Sequence, residues 1–296
     1  MTPAAAARNA GWLRAMPAVF VLIWSTGFIV ARYGMPYAPP LKFLAVRYAL
    51  SLACFSAWVA LSRVAWPKSR AQWGHLAVTG VLMQAGYLGG VWAAVHAGMG
   101  AGLAALLVGI QPVLTAVWLA FTGGRVSRRQ WAGLVLGFAG LVLVVSRKLG
   151  QGAEVNAVTM AMAVMALLSI TAGTLYQKRF VAPCDVRSAS AVQMAAALLV
   201  TLPFAAMESQ VIEWNAYSTG AMAWSVLALS LGGSSLLYML IQRGTATAVT
   251  SLLYLVPPCT AVMAWLLFAE PITLVTVLGI ALTAVGVSLV VRGASR

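Results

Sequence analysis

Acidic side chains are nearly missing from this chain: five Asp and Glu residues in 296, against nineteen Lys and Arg. Histidine is as scarce, with only His75 and His96. General acid–base catalysis and protein metal sites draw on those residue types. All five acids (Glu154, Asp185, Glu208, Glu213 and Glu270) fall in loops or at the ends of apolar runs. An enzyme is therefore not expected, nor a cofactor, nor a metal. The cysteines Cys54, Cys184 and Cys259 are odd in number and lack metal-type spacing, so they read as small packing residues, not as disulfides or ligands. Charged residues make up only 8% of the chain, where a soluble domain carries about 25%. That is too few to build a water-exposed surface.

Apolar residues fill the space instead, at 62% of the composition and a mean hydropathy of +0.92. About 20 consecutive apolar residues cross a bilayer as a helix. Ten such runs stand at about 14–34, 40–62, 73–97, 101–122, 129–146, 156–177, 187–207, 217–242, 246–269 and 272–291. The short connections leave no room among these residues for an ATP-hydrolysing or nucleic-acid-binding module. The first run follows Arg8 and Arg14 as a secretion signal would, but it lacks a small-x-small cleavage site and reads as an uncleaved first span.

A net charge of +14 suggests nucleic acid only if clustered on one surface. Here it follows the loops. With the N-terminus in the cytoplasm, Arg32, Lys42, Arg147 and Lys148 lie outside, Arg47 lies within a span, and every other Lys and Arg lies inside. That bias sets both termini cytoplasmic. The expected partners are lipid and a small-molecule solute, with no nucleic acid, and the expected state is a monomer.

The chain also repeats itself. A shift of 146 positions brings Gly27 onto Gly173, Gly74 onto Gly220, Gly98 onto Gly244, Pro112 onto Pro258, Gly133 onto Gly279 and Gly140 onto Gly286. Residues 1–146 and 147–296 then form two repeats of five spans each. Because five is odd, the second repeat enters the membrane from the opposite side. Inverted repeats of this kind place a ligand site near the midplane between the halves. Gly86-x-x-x-Gly90 and Gly133-x-x-x-Gly137 fit close helix packing within the bundle.

A family resemblance rests on residues spread over the whole chain. They are Trp24-Ser-Thr-Gly27-Phe28, Pro39-Pro40 with Phe43 and Arg47-Tyr48, the hairpin Ala97–Gly102, and Pro257-Pro258 through Phe268-Ala-Glu270-Pro271. With two halves of five spans, these features resemble the drug/metabolite transporter superfamily, EamA type, and most closely the YddG-type aromatic amino-acid exporters. The resemblance implies an all-helical, ten-span membrane protein of a bacterial inner membrane, exporting by alternating access. One departure stands out: Gly124-Arg125 replaces the acid often found after span 4, while the second repeat keeps Glu270.

Ionisable and polar groups at membrane depth are the default site candidates. Arg47 sits about two turns into span 2, where it is read mainly as a structural or gating residue and secondarily as an anchor for a substrate carboxylate. Gln84, Tyr87, Trp92 and His96 form a broad face of span 3; the shift pairs Trp92 with Tyr238 and His96 with Gln242. Spans 1 and 6 add Trp24, Ser25, Thr171 and Tyr176. Gln111-Pro112, Tyr254 and Pro257-Pro258 mark spans 4 and 9, where a proline removes a backbone donor and lets a helix bend. The lining is thus expected from spans 1, 3, 4, 6, 8 and 9. An aromatic cavity with a few amides and hydroxyls suits small amphipathic solutes, and amino acids follow from the resemblance. Drugs and nucleoside- or sugar-type metabolites remain alternatives, as does a non-transporting assembly or sensor subunit. The two halves are expected to superpose after a rotation of about 180° around an axis in the membrane plane; halves running parallel in a structure would overturn this.

Overall fold

The computed structural model describes residues 3–121, 127–148, 154–243 and 255–294, and every regular element among them is a helix. Helices α1 (Pro3–Gly34) and α2 (Pro40–Leu61) come first. The third span is continuous but changes its winding: α3 (Arg70–Gly80), a π-helical segment π1 (Val81–Gly86) and α4 (Tyr87–His96). Next come α5 (Ala101–Val108), α6 (Gln111–Phe121) and α7 (Arg128–Lys148). The second half holds α8 (Ala157–Phe180), α9 (Val186–Met207) and a second composite span of α10 (Ala216–Trp224), π2 (Ser225–Ser234) and α11 (Ser235–Arg243). It closes with α12 (Val256–Phe268) and α13 (Leu274–Ala294). Among the described residues seven stretches are long and apolar enough to cross a membrane, and Ala101–Thr115, Val256–Phe268 and Leu274–Gly286 are shorter apolar helices. All ten fall on the apolar runs read from the sequence.

Caps explain where several of these helices start. Asn156 and Asn215 each close a capping box, and Ser69 and Asp185 accept backbone N–H groups of the first turn. Each cap satisfies donors that have no partner within the helix. Ser69 and Asn215 stand one repeat shift apart. After α4 the chain turns at Gly98, whose φ of 106° is open to glycine and strained for other residues. Large apolar side chains such as Leu61, Leu199 and Met207 point outward at 86%, 70% and 81% exposure, as expected where lipid replaces water.

The packing between halves shows the repeat directly. A Cβ on Gly140 would lie 2.6 Å from the Gly279 carbonyl oxygen, and one on Gly286 would lie 2.6 Å from the Gly133 carbonyl oxygen. Under the 146-residue shift each of these contacts becomes the other. Thr283 and Gly137, themselves one shift apart, meet where the Thr283 hydroxyl approaches the Gly137 carbonyl at 3.5 Å. α7 and α13 therefore cross antiparallel about a local two-fold axis, with backbones close enough that only glycine fits. α2 and α9, also equivalents, pack antiparallel too: the Glu208 carboxylate at the end of α9 accepts the backbone N–H groups of Leu41 (3.0 Å) and Lys42 (2.7 Å) at the start of α2, while the Arg187 guanidinium at the other end lies over Trp58, 5.6 Å from the ring centroid.

Charge divides the two ends of the bundle. Glu208, Glu213 and Glu270 lie at the end carrying the starts of α2 and α5, where the Glu270 carboxylate accepts the Ala101 N–H at 3.1 Å and the Glu213 N–H donates to the Tyr37 carbonyl at 2.8 Å. Exposed Arg63, Lys68, Arg70, Lys178 and Arg179 mark the opposite end, together with Asp185, which receives Nε and Nη2 of Arg187 at 2.9 and 2.8 Å. Two outcomes follow. Replacing Gly140 or Gly286 by Leu should cost about 1–3 kcal/mol by overpacking, seen as a lower melting temperature in detergent; an unchanged melt would disprove the close crossing. The hydrogen bond from Arg187 holds the Asp185 carboxyl below its ordinary value of 3.8. Its contribution is complete above that value and is lost as the pH falls through the lower folded one. Acidification should therefore destabilise the parent protein through this pair, and Asp185→Asn should show no such loss from this source.

Candidate solute cavity

The two composite spans, α3–π1–α4 and α10–π2–α11, face each other across a cavity with about 650 Å³ of atom-free space, its mouth included. α1 contributes Trp24, Gly27 and Phe28, α2 Arg47, π1 Met83 and Gln84, and α4 Tyr87, Leu88, Val91 and Trp92. From the second half come Gln177 of α8, Gln193 of α9, Leu229 and Ser234 of π2, and Leu237 and Tyr238 of α11. Much of this lining pairs by the repeat shift: Arg47 with Gln193, Met83 with Leu229, Leu88 with Ser234, Val91 with Leu237, and Trp92 with Tyr238. The cavity thus sits on the local two-fold relation between the halves.

Both π segments fall at equivalent positions and both border the cavity. A π turn carries one residue more than an α turn, which breaks the regular hydrogen-bond ladder and is frequent at functional sites. Here the Tyr48 hydroxyl donates to the Gln84 carbonyl at 2.8 Å, and the Ser234 hydroxyl to the Leu229 carbonyl at 3.3 Å. These hydroxyls pair two carbonyls of the π segments, which bring Gln84 and Ser234 into the lining.

The walls are aromatic. Trp24 and Tyr87 lie parallel at 6.3 Å, and Trp92, 1% exposed, stacks on Phe43 at 4.9 Å. Tyr238 is held by its hydroxyl, 3.0 Å from the Cys184 sulfur. Arg47 is 3% exposed; its Nε donates to the Ser230 hydroxyl at 3.1 Å, and its guanidinium carbon lies 5.9 Å from the Trp92 ring centroid. Gln84, Gln177 and Gln193 supply amides, each more than nine-tenths buried. No carboxylate lines the cavity among the described residues.

Of the residues singled out in the sequence, Trp24, Arg47, Gln84, Tyr87, Trp92 and Tyr238 meet here. Others lie elsewhere. The Ser25 and Thr171 hydroxyls donate to their own helices, at Val21 (2.7 Å) and Leu167 (2.6 Å). Gln111 donates from Nε2 to the Thr174 hydroxyl at 2.9 Å. The Tyr176 hydroxyl pairs with Nδ1 of His75 at 2.8 Å toward the basic end, and His96 is exposed with Nδ1 3.1 Å from the Met35 carbonyl at the acidic end. Pro112, Pro257 and Pro258 start α6 and α12, where a missing N–H costs little. The last two border a separate small crevice with Gly109 and Thr283. The Gln242 side chain and Tyr254 are outside the described residues. Spans 2 and 7 enter the lining through Arg47 and Gln193, which the sequence reading did not place there. Carrying Arg47 forward by 146 would have found Gln193; Gln177 has no such signal, because its equivalent is Ala31.

A helical membrane bundle with a central cavity shared by two related halves has the architecture of a secondary transporter. The EamA-like transporter family model matches residues 15–146 and 157–292, one match for each half, and the chain belongs to that family. It is similar to an uncharacterized transporter, YvbV, of Bacillus subtilis, at 26% identity over 92% of this chain and 89% of that one. The uncharacterized inner membrane transporter YedA of Escherichia coli K12 is 26% identical over 82% and 78% of the two chains. A probable amino-acid metabolite efflux pump of the same organism is 25% identical over 92% of each. A crystal structure at 18% identity superposes with a TM-score of 0.69 over 95% of this chain and 98% of its own. Trp92→Ala and Tyr238→Ala should each weaken transport by about tenfold or more, roughly 1.4 kcal/mol of lost recognition, at unchanged membrane abundance. Parent kinetics in both variants would remove the aromatic walls from the site.

Proposed function

We propose that this protein is a secondary transporter exporting small amphipathic solutes, amino acids including aromatic ones among them, by alternating access through the cavity. The observation that carries this reading is the cavity itself: aromatic walls that include the repeat-related Trp92 and Tyr238, with three buried amides and one guanidinium in the lining. Such a lining accepts an apolar side chain against Trp24, Tyr87 and Trp92 and leaves donors and acceptors for the polar end of the solute. The similarity to a probable amino-acid metabolite efflux pump supports the same class. In the conformation described, buried Ala31, Met35, Phe43, Val95 and Met99 stand between Trp92 and the acidic end. With the basic end in the cytoplasm, as the loop charges argue, that layer closes the cavity to the outside. Export then requires the layer to part while the basic end closes.

The energy source follows from the titratable groups. Proton-coupled carriers commonly use Asp, Glu or His relays inside the bundle. Here the acids lie in loops or at helix ends, His96 is exposed at the acidic end, and His75 pairs with the Tyr176 hydroxyl toward the basic end, outside the cavity lining. Facilitated diffusion or exchange, driven by the solute's own gradient through a monomer, is the mode proposed. In proteoliposomes, preloaded amino acid should drive counterflow of labelled L-phenylalanine, and an imposed pH gradient should leave the rate unchanged. Uptake of another solute class with no amino acid moving would overturn the substrate reading. A strong pH-gradient dependence surviving in His96→Ala would overturn the proposed energy source.

A further inference from the structure

The cavity's polar groups are unequal across the repeat. Arg47 and Gln193 are equivalents, as are Gln84 and Ser230. In one pair of positions the bond is made: the Arg47 Nε–H donates to Ser230. In the other pair nothing corresponds, and Nε2 of Gln193 is buried with no hydrogen-bond partner among the described residues. The terminal nitrogens of Arg47 likewise have none among them; Nε alone is engaged. Gln193 is fixed from behind, since α9 packs so closely on α3 that a Cβ on Gly80 would collide with the Gln193 backbone. The cavity therefore presents the unengaged N–H groups of one buried positive charge, Arg47.

A buried guanidinium is best complemented by an anion that pairs with it, and among the described residues no carboxylate lines this cavity. A solute carboxylate supplies that partner: its two oxygens fit the planar Arg fork. We propose that the unengaged end of the Arg47 guanidinium is a carboxylate subsite, and that an anionic carboxylate is the obligatory feature of the solute, with the ammonium group dispensable. The ammonium meets no acid here, only amide oxygens and aromatic faces, so it is accepted without being required. The transported class is thus small apolar carboxylates, amino acids included. This rests on the transport reading above and narrows it.

The test uses the parent protein first, so that no variant needs to fold. Counterflow of labelled L-phenylalanine in proteoliposomes is measured in competition with L-phenylalanine, 3-phenylpropionate and L-phenylalaninamide, and each is also supplied as the labelled solute. The two carboxylates should move and compete, and the amide should be at least about tenfold weaker. Arg47→Gln should abolish this preference and Arg47→Lys should keep part of it. Gln193→Glu, which adds an acid to the cavity lining, should weaken it. Equal handling of acid and amide by the parent protein overturns the subsite while leaving amino-acid transport standing. Transport of 3-phenylpropionate without any amino acid supports the subsite and overturns the amino-acid reading. Movement of only neutral solutes such as nucleosides overturns both, and an Arg47→Gln variant that keeps the preference for the acid overturns the subsite.

Discussion

Inside a bilayer there is no water to complete a hydrogen bond, and the rest of this structure follows from that constraint. Backbone groups must pair within their own helix or with a near neighbour, so the chain is helical wherever it is apolar, and irregular winding survives only where something else takes over the lost bonds. π1 and π2 meet that condition: the hydroxyls of Tyr48 and Ser234 reach the carbonyls bordering them. Among the described residues Nε2 of Gln193 lacks a hydrogen-bond partner, as do the buried hydroxyls of Ser51, Ser225 and Ser235. Away from the cavity, hydroxyls such as Ser25 and Thr171 are absorbed by their own helices.

Two-fold symmetry organises both the scaffold and the site, for different physical reasons. In the α7–α13 crossing two pairs of equivalents are alike, Gly133 with Gly279 and Gly140 with Gly286, because backbone contact there demands the smallest residue, while Gly137 answers Thr283. In the cavity the equivalents are unlike: Arg47 answers Gln193, Gln84 answers Ser230, and Trp92 answers Tyr238. A scaffold gains from keeping the repeat, since each contact is made twice. A site for an asymmetric solute gains from breaking it, since a carboxylate and an apolar side chain need different walls.

The charged residues do separate work at the ends. The carboxylates of Glu208 and Glu270 each accept backbone N–H groups at the start of a helix from the other half of the chain, placing negative charge where the helix dipole favours it. These contacts join the halves at the acidic end, and any motion that parts that end must release or carry them. At the basic end, Asp185 and Arg187 stay within one loop and one first turn, so this ion pair shapes a connection and does not clamp the halves together.

The sequence alone determined the class of fold, the ten apolar runs, the repeat and its 146-residue register. Each is a one-dimensional property: run length measures membrane thickness, and duplicated glycines and prolines survive as a fixed offset. It also marked Arg47, Trp92 and Tyr238, because charge and aromatic bulk at membrane depth are conspicuous in any arrangement. It could not decide which polar residues share a space. Ser25 and Trp24 are neighbours in sequence, yet a rotation of about 100° per residue sends one toward its own helix and the other to the cavity. Gln193 looked like any amide in an apolar run until α9 was laid against α3, and Pro112 and Pro258 read as kinks until the helices were seen to begin at them. Helix rotation and winding are set by contacts between distant segments, and those exist only once the bundle has closed.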